Sequence, residues 1–356
     1  MNSNESEPHA PYRVGIVGLS WITSEPVRPG THPVLGDAPP HSHLSAMATI
    51  PAMRVVAGCD IVPEARERFV ENWETTWPGL VTYDDYRTMI DTENLDIVCV
   101  ATPDHLHGDV VRYASGHGVR GIFCEKPMSV ALDDVDSMIE AIERHGVTVT
   151  VNHTRRWMPV YVVAREAVRS GSIGTLSQVI VHFGGERAML WRNHSHFLDM
   201  ITYFAESTPE WVVAELEPGF EDYGTTYRGD GGRSPEKEPG MNAYIAYENG
   251  VRGYMSGMKS AAQQISVQII GSVGRIELND QHGSLIRQTE SGLSTTPIIP
   301  VGTKQGMQGG LLDLLRAMET GTPSQSPPAE ARKTVAVIEA ILESQRRENQ
   351  RVKIRS

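Results

Sequence analysis

The feature that most constrains this chain is an alternation confined to its first 150 residues. Short runs rich in β-branched residues fall at 12–18, 53–60, 95–102, 120–125 and 147–152, with helical stretches between them at 63–74, 84–91, 104–117 and 133–145. Strand, helix, strand in this repetition predicts a parallel sheet, because a parallel neighbour needs a crossover long enough to hold a helix. The run Ile97-Val98-Cys99-Val100 is apolar at consecutive positions, as expected of a strand covered on both faces.

Beyond residue 152 the texture changes. Helices are predicted at 159–169 and 194–204, and strands at 176–183, 210–217, 243–247, 252–255, 266–270 and 275–278. The strands are mostly hairpin-spaced, so a large, mainly antiparallel open sheet is expected. Helices at 311–320 and 329–349 close the chain. The predicted fold class is α/β: a Rossmann dinucleotide-binding domain at 1–152 and an α+β domain for substrate binding and oligomerisation at 153–356. The terminal helices are placed to pack back on the first domain. Two stretches fit neither texture. Residues 23–40 hold five prolines and two glycines, and residues 218–240 are rich in Gly, Pro and charge. Both read as long loops, and the first is expected on the rim of the site or at a subunit contact.

Charge and composition exclude several classes. The net charge is −12 with no block of Lys and Arg, which argues against binding a phosphate backbone. No apolar run approaches the roughly 18 residues of a membrane span. The first eleven residues are polar and show no secretory leader, so a cytoplasmic location is expected. Cys59, Cys99 and Cys124 fit neither a disulfide framework nor a zinc spacing and read as small core residues.

The first strand runs into Gly18-Leu19-Ser20-Trp21-Ile22-Thr23. Laid on the G-x-G-x-x-G dinucleotide fingerprint, Gly18 makes the tight turn. Ser20 and Trp21 then lie where the backbone approaches the pyrophosphate. Only one glycine in three is present. The second strand ends in Asp60, and an acid there accepts hydrogen bonds from ribose hydroxyls and repels a 2′-phosphate. NAD is therefore expected over NADP. Gly18 and Asp60 stand about twice as far apart as the usual ~20 residues, and the proline-rich insertion accounts for the excess.

More specific strings follow. Thr102-Pro103-Asp104-His105-Leu106-His107 ends the third long strand, Glu125-Lys126-Pro127 the fourth, and Asn152-His153-Thr154-Arg155-Arg156-Trp157 stands at the domain boundary. His196-Phe197-Leu198-Asp199 opens a helix further on. In this order and at these intervals the chain resembles the glucose–fructose oxidoreductase/inositol dehydrogenase (Gfo/Idh/MocA) family, from Val14 to the last helix. The resemblance implies a nicotinamide dinucleotide in the first domain and a sugar or cyclitol at the junction with the second. It implies that Lys126 hydrogen-bonds the reacting oxygen, that His196 is the acid/base, and that Lys126–Pro127 is cis. It also implies a homo-oligomer paired through the open face of the second sheet. Thr102, Pro103, His107 and Glu125 join Gly18, Ser20, Trp21, Asp60 and Lys126 as expected cofactor contacts. The sequence departs from the family where many relatives carry an aspartate four residues before the histidine: here stands Arg192.

The chemistry asks for this pair. Removing hydride from a secondary alcohol also requires a base for the hydroxyl proton, with a pKa near the working pH. Histidine begins near 6.5, whereas lysine begins near 10.4 and must be lowered by burial or by neighbouring cations. Asp199, three residues after His196, is expected to hold one imidazole nitrogen, and Arg192 to oppose protonation of the ring or bind an anionic part of the substrate. Arg156, Trp157, Trp191 and Asn193 complete the expected substrate contacts, the tryptophans by stacking on a sugar face. The expected activity is an NAD(P)-dependent sugar or polyol dehydrogenase, and the alternative is a catalytically silent NAD-binding sensor or scaffold. The histidine pairs His41/His43, His105/His107 and His194/His196 sit at predicted helix starts, where residues two apart point roughly 200° apart. No metal site is expected from them.

Overall fold

The computed structural model describes residues 10–26, 42–224, 234–302 and 306–356. Its first sheet contains β1 (Tyr12–Val17), β2 (Met53–Cys59), β3 (Val81–Tyr83), β4 (Ile97–Val100), β5 (Gly121–Cys124) and β6 (Thr148–Val151). All neighbours are parallel, and the order is β3-β2-β1-β4-β5-β6. This is the doubly wound order that places a ligand crevice outside the carboxyl ends of the strands, where the order reverses between β1 and β4. The connecting helices are α1 (Trp21–Ser24), α2 (His43–Met47), α3 (Pro63–Trp73), α4 (Tyr86–Glu93), α5 (His107–Gly116) and α6 (Leu132–His145). β4 and β5 are buried at every position, which is why their sequences are apolar without alternation.

The start of the first helix corrects the sequence reading, which gave all of residues 23–40 to a loop. The Thr23 and Ser24 amides donate to the Ser20 carbonyl, so one helical turn begins directly after the glycine loop. The insertion follows that turn, and its residues 27–41, His41 included, lie outside the described residues. Its base is closed: the Ser42 hydroxyl, which caps α2, donates to the Glu25 carbonyl at 2.6 Å.

The second sheet has nine strands. They are β7 (Leu176–Gly184), β8 (Pro209–Leu216), β9 (Met241–Tyr247), β10 (Arg252–Gly257), β11 (Gln264–Gly271), β12 (Gly274–Leu278), β13 (Gly283–Thr289), β14 (Gly292–Ile298) and β15 (Val352–Lys353). The order is β14-β13-β12-β11-β7-β10-β9-β8-β15, antiparallel except for the β7/β10 pair. α7 (Pro159–Arg169) and α8 (Ser195–Ala205) precede or interrupt it, and α9 (Gly306–Thr320) and α10 (Pro328–Arg346) follow.

α9 belongs to the core of the first domain. Met307, Leu311, Leu314 and Leu315 are buried with Val14, Ile16, Leu44, Met47, Ile97 and Phe123. Four such side chains contribute about 6–12 kcal/mol of burial, comparable with the net stability of a whole domain. The chain end therefore clamps the Rossmann sheet, while α10 lies on α8, β8 and α6. This interlock fixes the carboxyl ends of the first sheet against the start of α8, where the candidate site lies.

Candidate active site

Five loops meet at the carboxyl ends of the parallel strands. β1 ends in Gly18, whose φ of +94° is a left-handed conformation. A side chain there would begin 2.5 Å from the Ala101 carbonyl oxygen, so only glycine fits this turn against the loop after β4. Asp60 braces the same turn: Oδ2 accepts the Leu19 amide at 2.8 Å, and Oδ1 accepts the Val62 amide at 2.9 Å. Each carboxylate oxygen keeps a lone pair for a further donor. Ser20 is half-buried, and Trp21 opens α1, its side chain lying outside the described residues.

The loop after β4 carries half-buried Thr102, exposed Pro103 and buried Asp104, of which Thr102 Oγ1 and Asp104 Oδ2 are buried without a hydrogen-bond partner. His107 is committed to the protein. Its ring nitrogens face the carbonyls of Pro127 at 3.0 Å and Thr102 at 2.9 Å, tying this loop to the one after β5 and leaving no nitrogen for a dinucleotide. That corrects its expected role as a cofactor contact.

The loop after β5 holds Glu125-Lys126-Pro127, with a cis Lys126–Pro127 bond. Glu125 is surrounded by donors: Oε1 meets His43 Nε2 at 2.7 Å and Asn152 Nδ2 at 2.6 Å, and Oε2 accepts the Lys126 amide. Burial alone would raise its pKa, but His43, Lys126 and Asn152 pull it down to about 2. His43 is held in its charged form. Burial opposes that charge, and the contacts with Cys99, whose Sγ lies 2.9 Å from Nδ1, and with Glu125 outweigh it.

Lys126 is 6% exposed, and its Nζ donates to the Arg192 carbonyl at 2.5 Å. Burial first, and then the Arg192 cation, lower its pKa to about 7 against the opposing pull of Glu125, Asp104 and Glu238. Arg192 belongs to a π-helical turn, Leu190–His194, that leads into α8. The turn is capped from a distant segment: Glu238 Oε1 accepts the amides of Trp191 and of Arg192, the latter at 2.9 Å. Glu238 is 3% exposed, and burial raises its pKa to about 7.

His196 stands at the start of α8. Burial holds its pKa well below the ordinary value, and Lys126, Arg155, His153 and Arg192 push it the same way, so the imidazole is neutral. Its Nδ1 is buried without a partner. The expected clamp on this ring by Asp199 is not formed. Asp199 is fully buried and faces Arg156, which donates to it through Nε at 2.9 Å and Nη2 at 2.8 Å, with His153 Nδ1 3.5 Å away. Arg156 also reaches the Gln325 carbonyl and Glu330. Both residues are thus sealed behind the cleft, because two ions cut off from water require each other, and neither is free to contact substrate. Trp157 and Trp191 correct the reading in the same way. Both are buried, Trp157 packing against Gly309 and Gly310 of α9, so neither offers an open face to a sugar. Asn193 is 5% exposed with its Oδ1 unpartnered.

Among the described residues no group of three or more His, Cys, Asp or Glu could hold a metal ion, and no helix is long and apolar enough to cross a membrane.

Residues 12–153 match the NAD-binding Rossmann fold of an oxidoreductase family, and residues 165–354 match that family's C-terminal α/β domain. The chain belongs to the Gfo/Idh/MocA family. It is 34% identical to D-apiose dehydrogenase of Paraburkholderia graminis over 38% of this chain and 34% of that one. It is 28% identical to inositol 2-dehydrogenase of Salmonella typhimurium over 46% and 43%. The chain thus spans less than half the length of the curated relatives it matches. The fold extends further: the aldose-aldose oxidoreductase of Caulobacter crescentus superposes with a TM-score of 0.76 at 20% identity, covering 97% of this chain and 100% of that one.

Three residues of the site escaped the sequence reading. Asp104 lies within the string that carried the resemblance, but nothing marks it as buried. His43 stood out only as half of a pair with His41. Glu238 falls in a stretch read as loop, 42 positions beyond His196, and no spacing connects the two.

Proposed function

We propose that the chain is an NAD-dependent oxidoreductase that moves hydride between the nicotinamide and a secondary alcohol or ketone of a sugar, cyclitol or sugar derivative. The observation that carries this reading is the meeting of Lys126 and His196. They come from different domains, at the carboxyl ends of the Rossmann strands, and burial lowers the pKa of each. A lysine near 7 matches the pKa that proton transfer at neutral pH favours, and an imidazole that rests neutral is free to accept a proton.

The residues present fit the dinucleotide. The bare Gly18 turn stands at the strand ends, as do Thr102, Asp104 and Asn152, whose Oγ1, Oδ2 and Oδ1 are buried without partners and would be satisfied by a polar ligand. Gly18, Ser20 and Trp21 would hold the pyrophosphate by their backbone and Asp60 the ribose, while Thr102, Pro103, Glu125 and Lys126 flank the nicotinamide end. When bound, the nicotinamide supplies the hydride acceptor. Lys126 then donates a hydrogen bond to the substrate oxygen, in place of the one it gives the Arg192 carbonyl. His196 takes the hydroxyl proton, its neutral form maintained by the cations around it. Groups in these roles each contribute about 10²–10⁴-fold.

The relatives named for D-apiose and inositol support a carbohydrate-like substrate. We also propose a homo-oligomer through the outer face of the second sheet, where Trp211, Tyr244 and Tyr254 form a row with ring centroids 5.2 and 5.1 Å apart. The test is a screen of sugars, cyclitols, uronic acids and nucleotide sugars, followed by nicotinamide absorbance. Turnover of one class supports the dehydrogenase. Intact NAD binding without turnover across the panel assigns the chain to the silent sensor instead.

A further inference from the structure

The charge balance of the cleft narrows the substrate class. Arg192 is fixed at its root on both sides, its amide held by Glu238 at 2.9 Å and its carbonyl by Lys126 Nζ at 2.5 Å. Its side chain is half-buried, and among the described residues its guanidinium makes no hydrogen bond or ion pair. Its neighbours differ. Arg155 donates to both oxygens of Asp280, at 2.9 and 2.6 Å, and Arg156 is paired with Asp199. A guanidinium presents five donors in a planar fork shaped to carboxylate or phosphate, and leaving that fork idle in a half-buried place is costly.

The surroundings reinforce this. The charged groups that act most strongly on His196 are Lys126, Arg155, His153 and Arg192, and each disfavours its protonation. Burial keeps His153 neutral, at about 4, and Asp280 neutralises Arg155, so Lys126 and Arg192 supply the field. The carboxylates that act most strongly on Lys126 are Glu125, Asp104 and Glu238. Glu125 is occupied by His43 and Asn152, and Glu238 by the amides of the π-turn. Asp104 is the remaining acid, buried on the Rossmann side.

We infer that the substrate carries an oxyanion substituent, a carboxylate or a phosphate, which the Arg192 guanidinium receives while Lys126 and His196 act on a nearby carbinol. The inference rests on the dehydrogenase reading and adds its substrate class: sugar acids or sugar phosphates rather than neutral sugars.

The experiment uses the NAD-loaded protein and matched probes on one scaffold: glucose, glucuronate and glucose 6-phosphate, and galactose with galacturonate. Binding is measured by calorimetry and turnover by nicotinamide absorbance. The expected result is that an acidic member binds at least ~10-fold more tightly than its neutral partner, the range of a charge-assisted hydrogen-bonded contact. A better uronate assigns a carboxylate, and a better 6-phosphate assigns a phosphate. In Arg192→Gln the acid-to-neutral ratio falls to near one, and Arg192→Lys restores part of it. Neutral members binding as well as their acids, or an acid preference that survives Arg192→Gln, overturns the inference. The two readings fail separately: acid binding that depends on Arg192 without turnover sinks the dehydrogenase alone, and turnover favouring neutral sugars sinks the anion site alone.

Discussion

Replacing Glu238 by Gln isolates the electrostatics of Lys126. The amide keeps an oxygen that accepts the Trp191 and Arg192 amides, so the π-turn retains its cap while the negative charge disappears. The separation of carboxylate and ammonium is bounded by the atoms between them. From Glu238 Oε1 to the Arg192 nitrogen is 2.9 Å and from the Arg192 oxygen to Lys126 Nζ is 2.5 Å. With the intervening bonds the path is at most about 10 Å. At an effective dielectric of ~20 that separation gives an attraction of about 1.7 kcal/mol or more, equivalent to about one pH unit. The sign follows from which form the carboxylate favours. It stabilises the ammonium, so removing it moves the Lys126 midpoint down, from about 7 towards ~6. Because Glu238 itself titrates near 7 and is already neutral in more acid solution, the difference is read at pH 7 and above, where the amine fraction rises by up to about twofold. Competitive acetylation across pH, read residue by residue by mass spectrometry against exposed Lys353, measures this without any substrate. A folded variant whose Lys126 midpoint stays in place, or moves up, would refute the coupling and leave Glu238 as a backbone cap only.

The other predictions concern the same site and its supports. Lys126→Ala and His196→Ala should each lower kcat by ~10²-fold or more with NAD affinity largely kept, and near-normal turnover would remove that residue from the mechanism. NAD should be preferred over NADP in kcat/KM, and Asp60→Ala should narrow the preference; a wild-type enzyme that favours NADP contradicts the role given to Asp60. Asp199→Ala should destabilise the fold by about 3–5 kcal/mol, roughly 5 °C in Tm, because Arg156 is then buried without its counter-charge. A change within 1 °C would show that water or Glu330 replaces the pair.

The two-domain architecture was legible wherever burial imposes a period. α7 has the predicted limits of 159 and 169, and the five long Rossmann strands lie within the predicted runs. What escaped is what burial does not mark. β13 and β14 form an exposed edge hairpin, β14 being open at five consecutive positions, so no apolar alternation betrays it. β3 has three half-exposed or exposed residues, and β15 only two residues. α1 is one turn among prolines, below the length at which periodicity can be read.

The site was legible in its strand-end strings and illegible in its charges, for a physical reason. Residue type tells which groups ionise, but the field in a cleft depends on which ions are already paired, and those partners lie far apart in sequence. His43 faces Glu125 across 82 positions, Arg156 faces Asp199 across 43, and Arg155 faces Asp280 across 125. Each pairing withdraws a charge that a linear reading would have left in the site. Asp199 is the plain case: its helical spacing from His196 is right for a contact, yet the more strongly bound Arg156 claims it. After these withdrawals two cations, Lys126 and Arg192, remain beside a neutral imidazole, with Glu238 reaching them only through the peptide between. A lysine so placed loses its proton near neutrality, and a histidine so placed rests neutral, with a ring nitrogen open to accept one. The reactive protonation states of this cleft are therefore set by the pairings that surround it, more than by the identity of the two residues expected to react.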